Sequence, residues 1–284
     1  MTSRLDPTAD NERRAALLAV GFVALLAALV TLVGWLLGPD LGWWGLALAV
    51  VIGAGLAVLA LVSADAIVVR ATGAAPIGAD EHPRLHNLVD GLCVASGLPR
   101  PALGLIDDPA LNAFVVGRSP RHATLVVTSG LLDGLTRVEL EGVLARQLVL
   151  VKHRDSLVAT LATTTVAGPL LLAELAGRSP GGVVGTILGL PAALVAPVAS
   201  RLLDVVLPPR REVLADLAAI DLTRYPPGLI GALEKVRHGA VVDGGLRATA
   251  HLWVEPPVAA AGGGPRPVHQ APPIDERIAI LREL

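Results

Sequence analysis

The feature that most constrains this chain is a run of uncharged, mostly apolar residues at positions 15–37. A helix rises about 1.5 Å per residue, so a run of this length crosses the roughly 30 Å hydrocarbon layer of a membrane. The alternative is a cleaved signal peptide, because Arg13 and Arg14 precede the run as a basic segment would. The apolar core of a signal peptide usually has only about 7 to 15 residues. We therefore expect a membrane span.

A second apolar run, at residues 41–62, follows after a tight turn. Trp35, Trp43 and Trp44 cluster around that turn, as aromatic residues do at a membrane interface. The composition agrees with a membrane protein, since 53% of the residues are hydrophobic and only 17% are charged. The sequence therefore predicts a first transmembrane hairpin within residues 15–69.

The charges around this hairpin predict its orientation. Arg4 lies before it and Arg70 after it, whereas its connecting loop contains no Lys or Arg. By the positive-inside rule we expect an integral, multi-pass protein of the cell membrane, with the lipid bilayer as a partner. Residues 1–14, the C-terminus and the soluble domain would all be cytoplasmic. The formal net charge of -2 gives no electrostatic case for nucleic acid, and the single Cys93 excludes an intramolecular disulfide.

Residues 70–155 have the pattern of a mostly helical α+β domain with a small sheet. Apolar residues at helical spacing predict an amphipathic helix at residues 83–97. Thr136 and Glu139 fit a capping box, which begins a further helix. Short apolar runs bounded by polar residues and proline predict strands at residues 102–106, 113–117 and 123–128.

The chain becomes apolar again over residues 156–207, which we interpret as a second transmembrane hairpin with cytoplasmic flanks. The alternative is a buried hairpin within a soluble domain. Residues 208–255 return to a soluble composition and begin with another helix. Residues 256–284 form a Pro- and Gly-rich connection and then a short terminal helix, because apolar residues recur there at i, i+4 and i+7.

The helix after the capping box has the frame of a zinc-protease motif without its ligands. In the H-E-x-x-H motif, two His residues four apart bind zinc and the Glu between them is the general base. Here those positions are Arg146, Gln147 and Leu150. The frame therefore indicates a fold and argues against the usual chemistry of that fold.

Short matches in sequential order over nearly the whole chain resemble the HtpX-type integral-membrane zinc metalloproteases. This resemblance implies a zincin-like fold, two N-terminal spans and a second hairpin. The matching segments are Asn112-Ala113-Phe114, Val127-Thr128-Ser129-Gly130, Glu139-Leu140-Glu141-Gly142, Arg154-Asp155, Arg211-Glu212 with Ala215-Asp216, and Pro272-Pro273-Ile274-Asp275-Glu276-Arg277-Ile278.

The resemblance also identifies the position of each metal ligand. In that family the two motif His residues and a Glu of the later E-x-x-A-D helix bind zinc, and the motif Glu activates the bound water. Only Glu212 is retained here as a ligand. A catalytic zinc site uses three protein ligands and an open position for water. We therefore expect no bound metal, no other cofactor and no catalytic residue at Arg146, Gln147 or Leu150.

The neighbours of Arg146 on its helix are apolar or small, so a cation on this face needs a partner. We predict that the Arg146 guanidinium takes the place of the zinc and pairs with Glu212 and Asp216. The alternative is that Arg146 extends its charged end into solvent. A further alternative is a zinc site rebuilt from other histidines, such as His153, one heptad after Arg146.

Three functions fit these observations. The preferred one is a pseudoprotease that keeps its scaffold for binding peptides or proteins, or for regulation. If residues 123–128 are an edge strand, an extended peptide could pair with it near Asn112, Phe114, Thr124 and Val126. The first alternative is an active zinc metalloendopeptidase with rearranged ligands, and the second is a structural subunit that stabilises a membrane-protein partner.

Overall fold

The computed structural model describes residues 7–37, 39–78, 80–168, 170–171, 174, 203, 205–243, 245–257 and 272–284. Over these residues the chain is mostly helical and contains a small four-stranded sheet. This arrangement agrees with the predicted α+β class. Most of the predicted second hairpin, and residues 258–271 of the Pro- and Gly-rich connection, lie outside the described residues.

Two long helices begin the described chain and contact each other extensively. Helix α1 spans Pro7–Leu37 and helix α2 spans Pro39–Ala71, and both begin at a proline, which a first helical turn tolerates. Trp35 and Trp43 meet edge to face where the helices join, with 6.3 Å between ring centroids. Among the described residues, no helix combines the length and the hydropathy needed to cross a membrane. The transmembrane spans therefore stay a prediction.

The sheet has the strand order β1-β2-β4-β3. Strand β2 pairs in parallel with β4, whereas β1 pairs with β2 and β3 with β4 in the antiparallel sense. The strands are β1 (Ala75–Pro76), β2 (Ala102–Ile106), β3 (Ala113–Ser119) and β4 (His122–Thr128). The three predicted strands are confirmed, whereas β1 has only two residues and is too short to show a periodic pattern.

The prediction that residues 123–128 form an edge strand is wrong, because β4 lies between β2 and β3. Its side chains are apolar on both faces of the sheet, as is typical of an interior strand. Leu125 and Val127 pack into a core cluster on one face, and Val126 packs into a second cluster on the other. The true edge on this side is β3.

The face of the sheet that carries Leu125 is covered by helices α3 (Pro83–Ser96) and α5 (Arg137–Lys152). Helix α3 ends as predicted at Gly97, which adopts a left-handed conformation with φ 71°. Thr136 and Glu139 form the predicted capping box, in which the Thr136 amide donates to Glu139 Oε2 at 2.7 Å. A short helix α4 (Ser129–Gly134) connects the sheet to α5.

The opposite face of the sheet is covered by helix α6 (Asp155–Thr165), together with parts of α1 and α2. Arg154 lies between α5 and α6 with φ 62°, and this left-handed residue lets one helix follow directly after the other. The Gly117 amide of β3 donates to Thr160 Oγ1 at 3.1 Å. The hydroxyls of Thr160 and Thr163 in turn donate to main-chain carbonyls one turn earlier.

The remaining described helices add to both core clusters. Helix α7 spans Arg210–Thr223, α8 spans Pro226–Gly239, and a 3₁₀ helix spans Arg247–Leu252. The predicted C-terminal helix is confirmed as α9, Ile274–Arg282, with Ile274, Ile278 and Leu281 buried in the core. Both α7 and α8 pack against α5, so the motif helix lies at the centre of the domain.

We predict that Gly142→Ala destabilises the protein, because a Cβ atom at Gly142 would lie 2.9 Å from the backbone of Leu229 in α8. Such overpacking typically costs about 1 to 3 kcal/mol. Thermal unfolding of the full chain in detergent, followed by circular dichroism, should show a lower midpoint.

Gly91→Ala in α3 is the matched control, because no atom lies within 4 Å of its added Cβ. Ala is favoured over Gly inside a helix by about 0.5 to 1 kcal/mol, so the midpoint should rise. Equal effects of the two substitutions would contradict the close approach of α5 and α8.

Candidate functional site

The site is built from two helices that cross the centre of the domain. Arg146 lies in the middle of α5 and has no solvent exposure. Glu212 and Asp216 lie four residues apart on α7, so both carboxylates project from the same face of that helix. Glu212 is 3% exposed and Asp216 is fully buried. The site is therefore a cluster of charges in a dry interior.

The structure brings together the three residues that were predicted to replace the metal. Arg146 Nε donates to Asp216 Oδ1 at 2.7 Å, and Arg146 Nη2 donates to Glu212 Oε2. One guanidinium thus joins both acidic side chains of α7. This geometry contradicts the alternative in which Arg146 extends into solvent.

Two further arginines complete the cluster, and sequence reasoning assigned no role to either of them. Arg277 of α9 donates from Nε to Asp216 Oδ2 at 2.7 Å and from Nη2 to Asp216 Oδ1 at 2.9 Å. Arg211 Nε donates to Glu212 Oε1 at 3.0 Å. The signal for Arg277 was present, since this arginine lies among apolar residues that face the core from a short helix.

The charges at this centre shift the pKa of Arg277 and of Glu255. Burial lowers the pKa of Arg277, but the carboxylate of Asp216 outweighs burial and raises it, so the guanidinium stays charged. Glu255 lies at the margin of the cluster, where burial raises the pKa of its carboxyl although Arg277 lowers it. The three arginines carry one positive charge more than Glu212 and Asp216 can neutralise. An ionised Glu255 would balance that charge, but burial opposes ionisation of its carboxyl.

Several buried polar atoms at this centre have no hydrogen-bond partner within the described parts of the chain. They include Nη1 of Arg146, Nη1 of Arg211 and both side-chain amide atoms of Gln147. Gln147 has no solvent exposure. Unsatisfied buried groups of this kind are uncommon in folded proteins. The contacts at this centre therefore do not satisfy all of its buried polar groups.

Comparison with known proteins identifies the family of this chain. A model of peptidase family M48 matches residues 79–284. Two proteins named Protease HtpX homolog, from Streptococcus pneumoniae strains Hungary19A-6 and ATCC BAA-255 / R6, are each 31% identical over 298 aligned residues. The alignment covers 98% of this chain and 99% of each relative. The chain belongs to peptidase family M48. The predicted resemblance to the HtpX-type proteins is confirmed.

M48 proteins are zinc metalloproteases, but the residues at this site do not fit a zinc ion. The Glu212 carboxylate already accepts bonds from Arg146 and Arg211. A guanidinium has no lone pair for a metal, and Leu150 presents only carbon atoms. Leu150 is 5% exposed and belongs to the first core cluster. Position 146 therefore carries a cation, and position 150 carries a hydrocarbon side chain.

The described histidines do not replace the lost ligands. His86 Nε2 contacts the Gly78 carbonyl, His251 Nε2 contacts Thr163 and the Ala159 carbonyl, and His153 ends helix α5. Among the residues that the structure describes, no group of three His, Cys, Asp or Glu side chains could hold a metal ion. His269 lies outside the described residues.

The residues predicted to bind an extended peptide do not form an open edge. Thr124 and Val126 lie on the interior strand β4, whose main-chain groups pair with neighbours on both sides. Asn112 and Phe114 are fully buried. Pairing with a peptide requires unpaired main-chain groups, so capture of a peptide on β4 is excluded.

The outer edge of β3 is covered by the chain itself. Trp253 forms an isolated antiparallel bridge with Phe114, and their ring centroids lie 4.5 Å apart. Further along β3, Thr160 accepts the bond from the Gly117 amide. A peptide that paired with β3 would have to displace both contacts.

We predict that Glu212→Ala destabilises the protein even though no metal is lost. Removing one partner of a buried ion pair typically costs about 3 to 5 kcal/mol, because it leaves a charge unpaired in the interior. Urea unfolding of the full chain, followed by Trp fluorescence, should show a much lower midpoint.

Asp221→Ala on the same helix is the control, because Asp221 is 82% exposed and lies 3.8 Å from Arg224. Exposed ion pairs contribute little to stability, so this variant should unfold near the wild-type midpoint. An unchanged midpoint for Glu212→Ala would contradict a stabilising role for the buried pair.

The raised pKa of Glu255 predicts a pH dependence of stability. The folded carboxyl holds its proton more tightly than the unfolded one, so wild-type stability falls as the pH rises from about 4.3, the ordinary Glu value, through the raised pKa. Glu255→Gln lacks this effect. The stability of Glu255→Gln relative to wild type should therefore increase with pH over that window in urea titrations. A difference that decreases with pH would contradict the raised pKa.

Proposed function

We propose that this M48 protein is a catalytically inactive HtpX homologue that uses its protease scaffold for protein binding or regulation. The observation that carries the proposal is the guanidinium of Arg146, which bonds to Glu212 and Asp216 at the centre of the domain. A positive charge takes the place of a positive charge. The acidic side chains are neutralised, but no Lewis acid and no activated water result.

The second support is the residue that follows. Gln147 has nearly the shape of the glutamate that serves as general base in H-E-x-x-H proteases. An amide does not accept a proton at neutral pH, and general base catalysis contributes roughly 10²- to 10⁴-fold in rate. Even a metal recruited to this site would lack its base. The absence of metal ligands at positions 146 and 150 and the absence of a base at position 147 are independent of each other.

The proposal includes the membrane. Residues 15–37 and 41–62 are uncharged or nearly so, and the helices that contain them, α1 and α2, contact each other. We propose that they anchor the chain in the cell membrane, with a second hairpin at residues 156–207. The arginines on the flanks of both hairpins favour a cytoplasmic domain and cytoplasmic termini.

The partner that best fits this arrangement is another membrane protein. Both sides of β4 are paired, and β3 is bonded to the chain's own Trp253 and Thr160. Extended peptides therefore find no free main-chain edge on β3 or β4, and the opposite edge strand, β1, has only two residues. A partner that contacts the anchoring helices needs no such strand, because it can associate within the bilayer.

Metal analysis and a protease assay on the purified full-length chain test the proposal. We expect no stoichiometric zinc after purification in zinc-containing buffer, and no chelator-sensitive cleavage of casein. Zinc bound in equal amount to protein, together with cleavage that a chelator abolishes, would overturn the proposal in favour of an active protease with rearranged ligands.

A variant that restores the motif tests whether only the ligands were lost. Arg146→His, Gln147→Glu and Leu150→His together recreate H-E-x-x-H on a helix that already faces Glu212. We expect this triple variant to bind about one zinc ion per chain, the normal content of a site with three protein ligands. The same variant with Glu212→Ala is the control and should bind zinc much more weakly. Equal zinc content in both would indicate binding elsewhere.

A further inference from the structure

An open groove runs between α1, α6 and the end of β3, and its lining includes none of Arg146, Arg211, Glu212, Asp216 or Arg277. Its volume is about 430 Å³. The starts of α1 and α6 lie side by side, since Asn11 Nδ2 donates to the His153 carbonyl at 2.8 Å. The bond between Gly117 and Thr160 brings the end of β3 beside the middle of α6. Three separate elements therefore enclose the groove.

The walls of the groove are apolar and small. Helix α1 contributes Ala15, Ala16 and Ala19, and Ala19 lies one turn after the other two, at i+4 and i+3. Helix α6 contributes Leu157 and Leu161, again four residues apart. The short alanine side chains leave the space that a hydrocarbon chain could occupy, and the leucines provide an apolar surface for it.

Two arginines and one acidic residue, Glu12, line the same groove. Arg118, at the end of β3, makes no hydrogen bond and no ion pair with any residue that the structure describes. Arg154 lies 3.5 Å from Glu12, with 27% of its side chain exposed, so its guanidinium keeps donors that face the groove. A guanidinium matches the geometry of a phosphate and can donate two parallel bonds to it.

The groove also lies at a boundary within α1. Glu12, Arg13 and Arg14 are charged, and the uncharged run begins at the next residue. If that run enters the bilayer as proposed, the groove lies at the cytoplasmic interface, where anionic headgroups are found. Basic pockets between membrane helices on this side bind such headgroups.

We infer that this groove binds one anionic phospholipid, with its phosphate between Arg118 and Arg154 and an acyl chain along Ala16, Ala19 and Leu161. The inference rests on the proposed membrane anchoring but not on the loss of catalysis. Charge decides the class of lipid, because Glu12 is already close to Arg154 and Arg118 adds an unpaired positive charge. A zwitterionic lipid would bring its own cation next to these arginines.

The test is native mass spectrometry of the full-length chain released from nanodiscs that contain equal phosphatidylglycerol and phosphatidylcholine. We expect one retained phosphatidylglycerol per chain. Arg118→Gln should reduce retention roughly tenfold, the loss expected for one charge-assisted hydrogen bond. Ala19→Phe should reduce it similarly without a change of charge, because the phenyl ring fills the apolar part of the groove. Inorganic phosphate should not compete, since it lacks the acyl chain.

Arg121→Gln is the matched control, because Arg121 is an exposed arginine of the same β3–β4 turn but does not line the groove. It should retain phosphatidylglycerol like the wild type. Equal retention of the two lipids, an equal loss in Arg121→Gln, or full retention in Ala19→Phe would overturn the inference. Displacement of the lipid by an anionic peptide would assign the groove to a protein ligand instead. Zinc content is measured separately, so a failure here and a failure of the proposed loss of catalysis are distinguishable.

Discussion

Asp216 accepts hydrogen bonds from two buried guanidinium groups, Arg146 of α5 and Arg277 of α9, and the domain depends on this arrangement. Each of these ions would be costly to bury alone, because the interior cannot solvate it. Together they compensate one another only if α5, α7 and α9 hold their relative positions closely. The cluster therefore links the motif helix, the acidic helix and the C-terminal helix. Removal of one member leaves an unpaired charge in the interior, so a single substitution in the cluster is expected to destabilise the fold.

A guanidinium and a zinc ion satisfy the same carboxylate in different ways. Zinc accepts electron pairs from several ligands and leaves one position open for water, which makes it a catalyst. The planar guanidinium of Arg146 donates protons in fixed directions and offers no such position. It can hold Glu212 and Asp216 in place, and so it preserves the frame of the protease.

The frame around this centre is intact because it is stabilised by separate interactions. Three of these interactions do not involve the ligand positions. They are the capping box of Thr136 and Glu139, the packing of β3 and β4 against the core on both faces of the sheet, and the close approach of α5 to α8 at Gly142. These interactions are therefore formed with Arg146, Gln147 and Leu150 at the motif positions.

Periodic and local signals in the sequence determined most of the elements. The strands at β2, β3 and β4, the ends of α3, the capping box and the C-terminal helix follow from spacing and from residues that favour caps and turns. The pairing of Arg146 with Glu212 and Asp216 also followed, because a cation among apolar neighbours requires an acidic partner and the family resemblance implied which acidic residues lie there. Only the tertiary structure decided that β4 is an interior strand, that Arg277 shares Asp216, and that Trp253 covers the edge of β3. These depend on contacts between residues far apart in the chain, and the local pattern of a strand or helix carries no information about which distant segment will lie beside it.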